Sequence, residues 1–192
     1  MKKVGILALQ GDFAAHEAVI ARAGGKPVQV RNAKQFDEID GLIIPGGEST
    51  TMLKLLHYDH LMQPLAGFAK HKPIFGTCAG LILLAKNVTN PAQESLAALD
   101  ITVERNGYGR QNDSRIAEID LEPGFEKNAE ARKLEAVFIR APIIRNVGAA
   151  VKILARYKGD PVLIEQGIHL GSSFHPELTS DGRVHSYFLS KL

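Results

Sequence analysis

The strongest constraint on this chain is a set of short apolar runs that do not alternate with polar residues. Val4-Gly-Ile-Leu-Ala-Leu9, Gly41-Leu-Ile-Ile44 and Pro73-Ile-Phe75 are continuously apolar. That is how strands buried on both faces read, whereas a half-solvated strand alternates. Residues 28–30 supply a shorter second strand. Between the strands lie stretches of helical character at residues 13–23, 50–56, 61–69 and 81–85. Gly24-Gly25 ends the first of these, and Ser49 is placed to cap the second. Strand and helix in repetition demand a parallel sheet covered by helices on both faces.

The character changes near residue 100. Residues 101–103, Arg115–Leu121, 136–139, 151–157, 162–165 and 169–174 read as strands joined by short turns, and Arg183–Leu189 as a closing helix. The expected fold class is α/β, a mostly parallel sheet with an antiparallel extension in the C-terminal half. Residues 87–93 and 124–131 read as surface loops. No repeat, low-complexity tract or linker interrupts the 192 residues, so one domain over 1–192 is expected.

Composition narrows the function. With 23 Lys and Arg against 21 Asp and Glu, the net charge is +2, and no basic stripe points to nucleic acid. The single Cys forbids an internal disulfide and a thiolate metal cluster. The histidines lack ligand spacing, so no metal is expected. No apolar run approaches the roughly 20 residues that span a bilayer. The N-terminus reads as a first strand without a signal-peptide cleavage site, and a cytoplasmic location is expected.

That one cysteine, Cys78, stands in Gly76-Thr-Cys-Ala-Gly80, after an apolar strand and before an apolar helix. A lone Cys is either a small buried hydrophobe or a nucleophile. Here two glycines permit the sharp strand-to-helix turn of a nucleophile elbow, and the helix N-terminus favours a thiolate. Such a nucleophile needs a base, and the base an orienting group. Of seven histidines, only His175 has a candidate orienter, in His175-Pro176-Glu177. In an extended segment residues two apart share a side, so the Glu177 carboxylate can reach the imidazole. His16, His57, His60, His71, His169 and His185 are expected at the surface or the edge of the core. Acyl transfer also needs an oxyanion hole. Gly47, in the turn Pro45-Gly-Gly-Glu-Ser49, and the N–H of Ala79 are its candidate donors. No Gly-Lys-Ser/Thr follows that turn, which excludes a phosphate-binding loop.

The elbow, the Pro-Gly-Gly-Glu turn and His175-Pro-Glu177 together resemble the class I, triad-type glutamine amidotransferases. Four further segments resemble, more narrowly, the glutaminase subunits of pyridoxal 5′-phosphate synthase. They are Leu9-Gln-Gly11, Pro45-Gly-Gly-Glu-Ser-Thr-Thr51, Val103-Glu-Arg-Asn-Gly-Tyr-Gly-Arg110-Gln and Phe138-Ile-Arg-Ala-Pro142. The likeness covers residues 4–189. It implies a flavodoxin-like three-layer fold and hydrolysis of L-glutamine to glutamate and ammonia by Cys78, His175 and Glu177. It also implies a glutamine site at Gly46, Gly47, Glu48, Arg105, Ile139 and Arg140, and a part for Gln10 in activation. The implied partner is a (β/α)8 synthase subunit in a large hetero-oligomer, and no cofactor is implied for this chain.

Two places depart from the family pattern. Asp12-Phe-Ala-Ala15 stands where relatives carry Val-Arg-Glu before a His, and Ile143 stands where a His is common. Both bear on partner specificity rather than on the triad. Physically, Arg105 and Arg140 can meet a carboxylate with paired hydrogen bonds, or serve as surface residues. Glu48 can receive the substrate ammonium, or cap the helix that follows. Three other readings of the chain remain: a cysteine-elbow peptidase or deglycase, a non-catalytic scaffold, and an amidotransferase serving another acceptor.

Overall fold

The computed structural model describes residues 1–107 and 114–192. In chain order, β1 (Lys3–Leu7), α1 (Phe13–Arg22), β2 (Lys26–Val30), β3 (Gly41–Ile44), α2 (Ser49–Tyr58), α3 (Met62–Ala69), β4 (Ile74–Thr77) and α4 (Ala79–Leu84) alternate. The remainder is mostly strand: β5 (Ala85–Thr89), β6 (Leu99–Glu104), β7 (Arg115–Leu121), β8 (Lys133–Phe138), β9 (Ile143–Val147), β10 (Lys152–Tyr157), β11 (Asp160–Gln166) and β12 (His169–Ser172). Helix α5 (Arg183–Leu189) closes the chain.

A nine-stranded sheet runs in the order β2-β1-β3-β4-β12-β11-β10-β7-β8, and β5-β6-β9 form a second sheet of three strands. In the large sheet the pairings from β2 through β12 are parallel. Those from β12 through β8 are antiparallel. The antiparallel extension thus matches the parallel part pairing for pairing.

Side-chain alternation sorts the core into two layers. Val4, Ile6, Ile43 and Phe75 point to one face, where Ile20 of α1 and Val184 and Phe188 of α5 cover them. Leu7, Leu42, Ile44 and Ile74 point to the other, against Met52 and Leu56 of α2, Leu65 and Phe68 of α3, and Leu81 of α4. The small sheet extends that second layer with Val88, Leu99, Ile101, Val103 and Ile144. Each such side chain contributes roughly 1.5–3 kcal/mol through burial. Helices therefore cover both faces of the sheet, as the apolar runs required.

Two expectations need correction, and one strand went unread. Residues 87–93 are not wholly a loop, because Ala85–Thr89 is β5, parallel to β6. Only Ala85 and Val88 of that strand are buried, so backbone pairing makes a strand whose polar side chains conceal it. The helix placed at 81–85 starts earlier, at Ala79, and yields to β5 at Ala85. Strand β9 had no sequence signal beyond Ile143-Ile144, and its pairing with β6 is antiparallel. Residue Ile143 itself is buried at 5% exposure. Its side chain packs under Gly107, where an added Cβ would come within 2.6 Å of it. It therefore presents no docking surface of its own, unlike exposed Asp12 and Ala14.

Candidate active site

Parallel strands end on a common edge, and the residues following β1, β3, β4 and β12 meet there. Cys78 follows β4 and caps α4 with φ 47° and ψ −100°. For a non-glycine residue this backbone stores on the order of 1–3 kcal/mol, and such strain is held where surroundings over-determine it. The surroundings here are close. An added Cβ on Gly76 would lie 2.5 Å from the Gly80 carbonyl carbon, and one on Gly80 would lie 2.1 Å from the Ile44 oxygen. The Cys78 N–H donates to the Ser172 carbonyl at 2.8 Å, fastening the elbow to β12.

His175 and Glu177 follow β12. The imidazole Nδ1 lies 2.7 Å from the Glu177 Oε1, with side-chain exposures of 8% and 0%. The segment is not extended as expected: Pro176–Leu178 forms one 3-10 turn with His175 as its N-cap. Proline at the first position of that turn has its φ pre-set for it, and the turn brings the carboxylate back onto the ring. Nδ1 being taken by Glu177, Nε2 is the ring nitrogen left free to act on Cys78. Burial opposes charge on His175, but the hydrogen bonds to Cys78 and Glu177 and their negative charges outweigh it, raising the imidazole to about 10. The backbone N–H of His175 donates to the Val137 carbonyl at 2.8 Å.

Cys78 and His175 open onto a cleft of about 210 Å³ that Gly46, Gly47, Glu48, Arg105, Ile139 and Arg140 also line. Asp12, read from sequence only as a departure bearing on partner specificity, shares the lining, as do Ile82 and Leu178, which the sequence did not single out. Gly46 packs against the imidazole so closely that a Cβ there would lie 2.3 Å from the His175 Cε1. Gly47 has φ 147°, and Gln10 sits behind it. The Glu48 N–H donates to the Gln10 Oε1 at 3.2 Å, while the Gln10 Nε2 is buried without a hydrogen-bond partner among the described residues. Ala79 is the first residue of α4 and buried; a first-turn N–H has no intrahelical partner. The Cys78 Sγ lies 3.9 Å from the Ile139 carbonyl oxygen. Arg140 is exposed, with φ 46°. Tyr108 to Gln111 of the third resemblance segment fall outside the described residues.

The cap of α2 is Glu48 rather than Ser49. Its carboxylate accepts from the Thr50 N–H at 3.1 Å and from the Thr51 N–H and hydroxyl at 2.7 and 2.8 Å. Desolvation is the largest single influence and pushes the carboxyl up, but these bonds together outweigh it and hold it down at about 2. Ser49 instead donates its hydroxyl to the Gln93 Oε1 at 2.9 Å. Arg105 reaches the Thr50 hydroxyl at 3.0 Å and the Glu48 Oε1 at 3.4 Å. The two charged groups that sequence assigned separately to the ammonium and carboxylate of glutamine therefore touch each other, and together fix one wall of the cleft.

The other histidines divide. His57 is exposed and pairs with Glu94 at 2.8 Å. His16 and His185 are fully buried, and His169 nearly so, accepting from the Ile74 N–H at 3.2 Å. The expectation of surface or core-edge positions fails for these three. A signal existed: His16 lies three and four residues before Val19 and Ile20, and His185 three before Phe188, on the buried stripes of their helices. Among the described residues no group of His, Cys, Asp and Glu could hold a metal ion.

Comparison with known proteins gives the chain a family. Residues 6–192 match the SNO glutamine amidotransferase family. The chain is 64% identical over 192 residues, all of both chains, to a protein of Solibacter usitatus named pyridoxal 5′-phosphate synthase subunit PdxT. It is 54% identical to the protein of that name from Koribacter versatilis, over 97% of this chain and 94% of the relative. A crystal structure described as a glutamine amidotransferase superposes with a TM-score of 0.89 at 42% identity, covering 98% of this chain and 97% of that one. The PurLQS structure from Thermotoga maritima, at 16% identity and a TM-score of 0.69 over 99% of each chain, shares the fold.

Proposed function

The chain belongs to the SNO glutamine amidotransferase family, and from that premise we propose that it is the glutaminase subunit of a pyridoxal 5′-phosphate synthase. Residues 1–192 would act as one domain, in the cytoplasm; no helix among the described residues is long and apolar enough to cross a membrane. The observation that carries the chemistry is Cys78, strained at its elbow, opening onto the same cleft as an imidazole that Glu177 holds from behind.

The reaction follows from those contacts. His175, raised to about 10, is an imidazolium beside the Cys78 sulfur. The Cys78 sulfur attacks the side-chain amide carbon of glutamine, and the N–H groups of Gly47 and Ala79 receive the oxyanion. As the C–N bond breaks, His175 gives its Nε2 proton to the leaving nitrogen, releasing ammonia and leaving a γ-glutamyl thioester. The now neutral imidazole takes a proton from water, whose oxygen attacks the thioester and frees glutamate and the sulfur. Glu177 keeps the proton on Nδ1 throughout. Gly46, Glu48, Arg105, Ile139 and Arg140 would bound the substrate, with Arg140, exposed and clear of the Glu48 cap, the stronger candidate for its carboxylate. Gln10, bonded to the Glu48 N–H behind Gly47, is placed to shift the oxyanion turn when a partner docks.

The full-length match to relatives named as synthase subunits supports ammonia delivery to a (β/α)8 synthase subunit within a hetero-oligomer. No cofactor or metal enters this chemistry. Glutamate release, measured with the chain alone and then with a matching synthase subunit, tests the reading. Stimulation by the partner, absent in Cys78→Ala, is expected. High activity without stimulation would point to another acceptor, and none in either mixture would remove the glutaminase assignment.

A further inference from the structure

Glu177 is wholly buried, and only one of its oxygens is engaged by His175. The other, Oε2, has no hydrogen-bond partner among the described residues and faces the His16 Nε2 at 3.4 Å. His16 comes from α1, below the parallel strands. Its Nε2 also lies 3.2 Å from the hydroxyl of Thr77, the residue before Cys78, and its Nδ1 lies 3.0 Å from the Nε2 of His185 on α5. A buried polar chain thus runs from α5 through α1 to the back of the catalytic carboxylate.

Proton placement along this chain is decided by what each arrangement leaves unpaired. A neutral imidazole has one N–H and one lone pair. With the His16 proton on Nδ1, its Nε2 lone pair would face the carboxylate. The His185 proton would then sit on Nδ1, a buried atom with no partner among the described residues. With the proton on the His16 Nε2, that N–H faces Glu177 and Thr77, and Nδ1 accepts from the His185 Nε2–H. What is left over is a lone pair on the His185 Nδ1 and the Glu177 Oε2, which feels the Nε2–H dipole at 3.4 Å rather than a full hydrogen bond. An unfilled lone pair is less costly than an orphaned buried N–H beside a carboxylate facing another lone pair. Both rings are also kept neutral. Burial, then the charges of His185 and His175, lower His16; burial, then Arg22, lowers His185 to about 3. His16 therefore does not compete with His175 for the charge of Glu177.

We propose that His16 is a positioning residue of the glutaminase reaction: as the Nε2–H tautomer, set by His185, it steadies the second oxygen of Glu177 and so keeps the first aligned on His175. The proposal rests on the reading of Cys78, His175 and Glu177 as the catalytic set. His16 touches neither substrate nor the reacting sulfur.

Two experiments test it. In the wild-type chain, two-bond proton–nitrogen NMR of labelled histidine should show His16 protonated on Nε2 alone; an Nδ1–H tautomer or an imidazolium overturns the proposal. In complex with a synthase subunit, His16→Asn places an amide near the old Nδ1, serving His185 but not Glu177, whereas His16→Gln places one near Nε2. Loss of an outer partner of a catalytic group typically costs roughly 10–100-fold. That fall in kcat, with KM held, is expected for the Asn variant, with rescue in the Gln variant. Equal losses in both, or none in the Asn variant, would reduce His16 to packing. Cys78→Ala separates the two levels: if it retains turnover, the triad reading itself falls, and if it is dead while His16→Asn is fully active, only this inference falls.

Discussion

The two halves of the large sheet are built differently, and the difference locates the chemistry. In β3, β4 and β12 every residue is buried, whereas β7 and β8 alternate buried with exposed positions. Parallel strands deliver their following loops to one edge, so the residues after β1, β3, β4 and β12 converge with the start of α4 among them. Antiparallel strands alternate their ends and connect by tight turns. The antiparallel half lends the site mainly backbone: the Val137 carbonyl for the His175 N–H, and the Ile139 carbonyl beside the Cys78 sulfur. One half carries the proposed reacting groups on its rim, and the other props them. Changes at the parallel rim should remove activity and spare the fold, while changes in the antiparallel half should do the reverse.

Cys78→Ala breaks that comparison most directly if it fails. Glutamate release should drop by at least ~10³-fold with the thermal melting curve unchanged, because residual catalysis would come from the oxyanion donors and binding alone. Glu177→Gln should lower kcat by up to roughly 10⁴-fold through loss of the correct tautomer. It also has a pH signature. His175 is raised from 6.5 to about 10 in the folded chain, so its contribution to stability is complete below pH 6.5 and lost as pH rises through about 10. The stability gap between wild type and Glu177→Gln, read by denaturant unfolding, should shrink across that window, and a gap that widens would contradict the assigned pair.

Leu134 in β8, 2% exposed, probes the other half. Leu134→Ala should cost about 2–5 kcal/mol in unfolding while the folded fraction keeps its kcat. A smaller effect is expected at the cap of α2. Glu48→Ala should cost about 1 kcal/mol, modest because the carboxylate is half exposed. With the folded carboxyl at about 2 against 4.5, that stabilisation is present above pH 4.5 and lost as pH falls toward 2. Ile116→Thr, at a side chain 69% exposed on β7, should move stability by less than about 0.5 kcal/mol. A large loss there would mean that the outer face of the antiparallel half is covered by a partner.

Much of the parallel half was legible because its signals are local. The run Gly41-Leu-Ile-Ile44 and the glycines about Cys78 describe their own surroundings, and an apolar run needs burial on both sides whatever covers it. The pair His175 and Glu177 was also legible, though through a 3-10 turn rather than the extended spacing that suggested it. Strand β5 was not, since its pairing with β6 rests on backbone groups while Lys86 and Asn87 face solvent. Nor was the choice between Ser49 and Glu48 as cap, because both side chains suit a helix N-terminus and their partners, Gln93 and Arg105, come from distant segments. His16, His185 and the back of Glu177 meet only when α1, α5 and the end of β12 pack on one side of the sheet. The sequence by itself determined the layered α/β frame and the elbow at Cys78, because short-range sterics and apolar periodicity suffice for them, and its motifs carried the resemblance to the family. Tertiary structure alone decided which polar groups are paired in the dark behind that elbow, because each pairing depends on where two remote backbones come to rest.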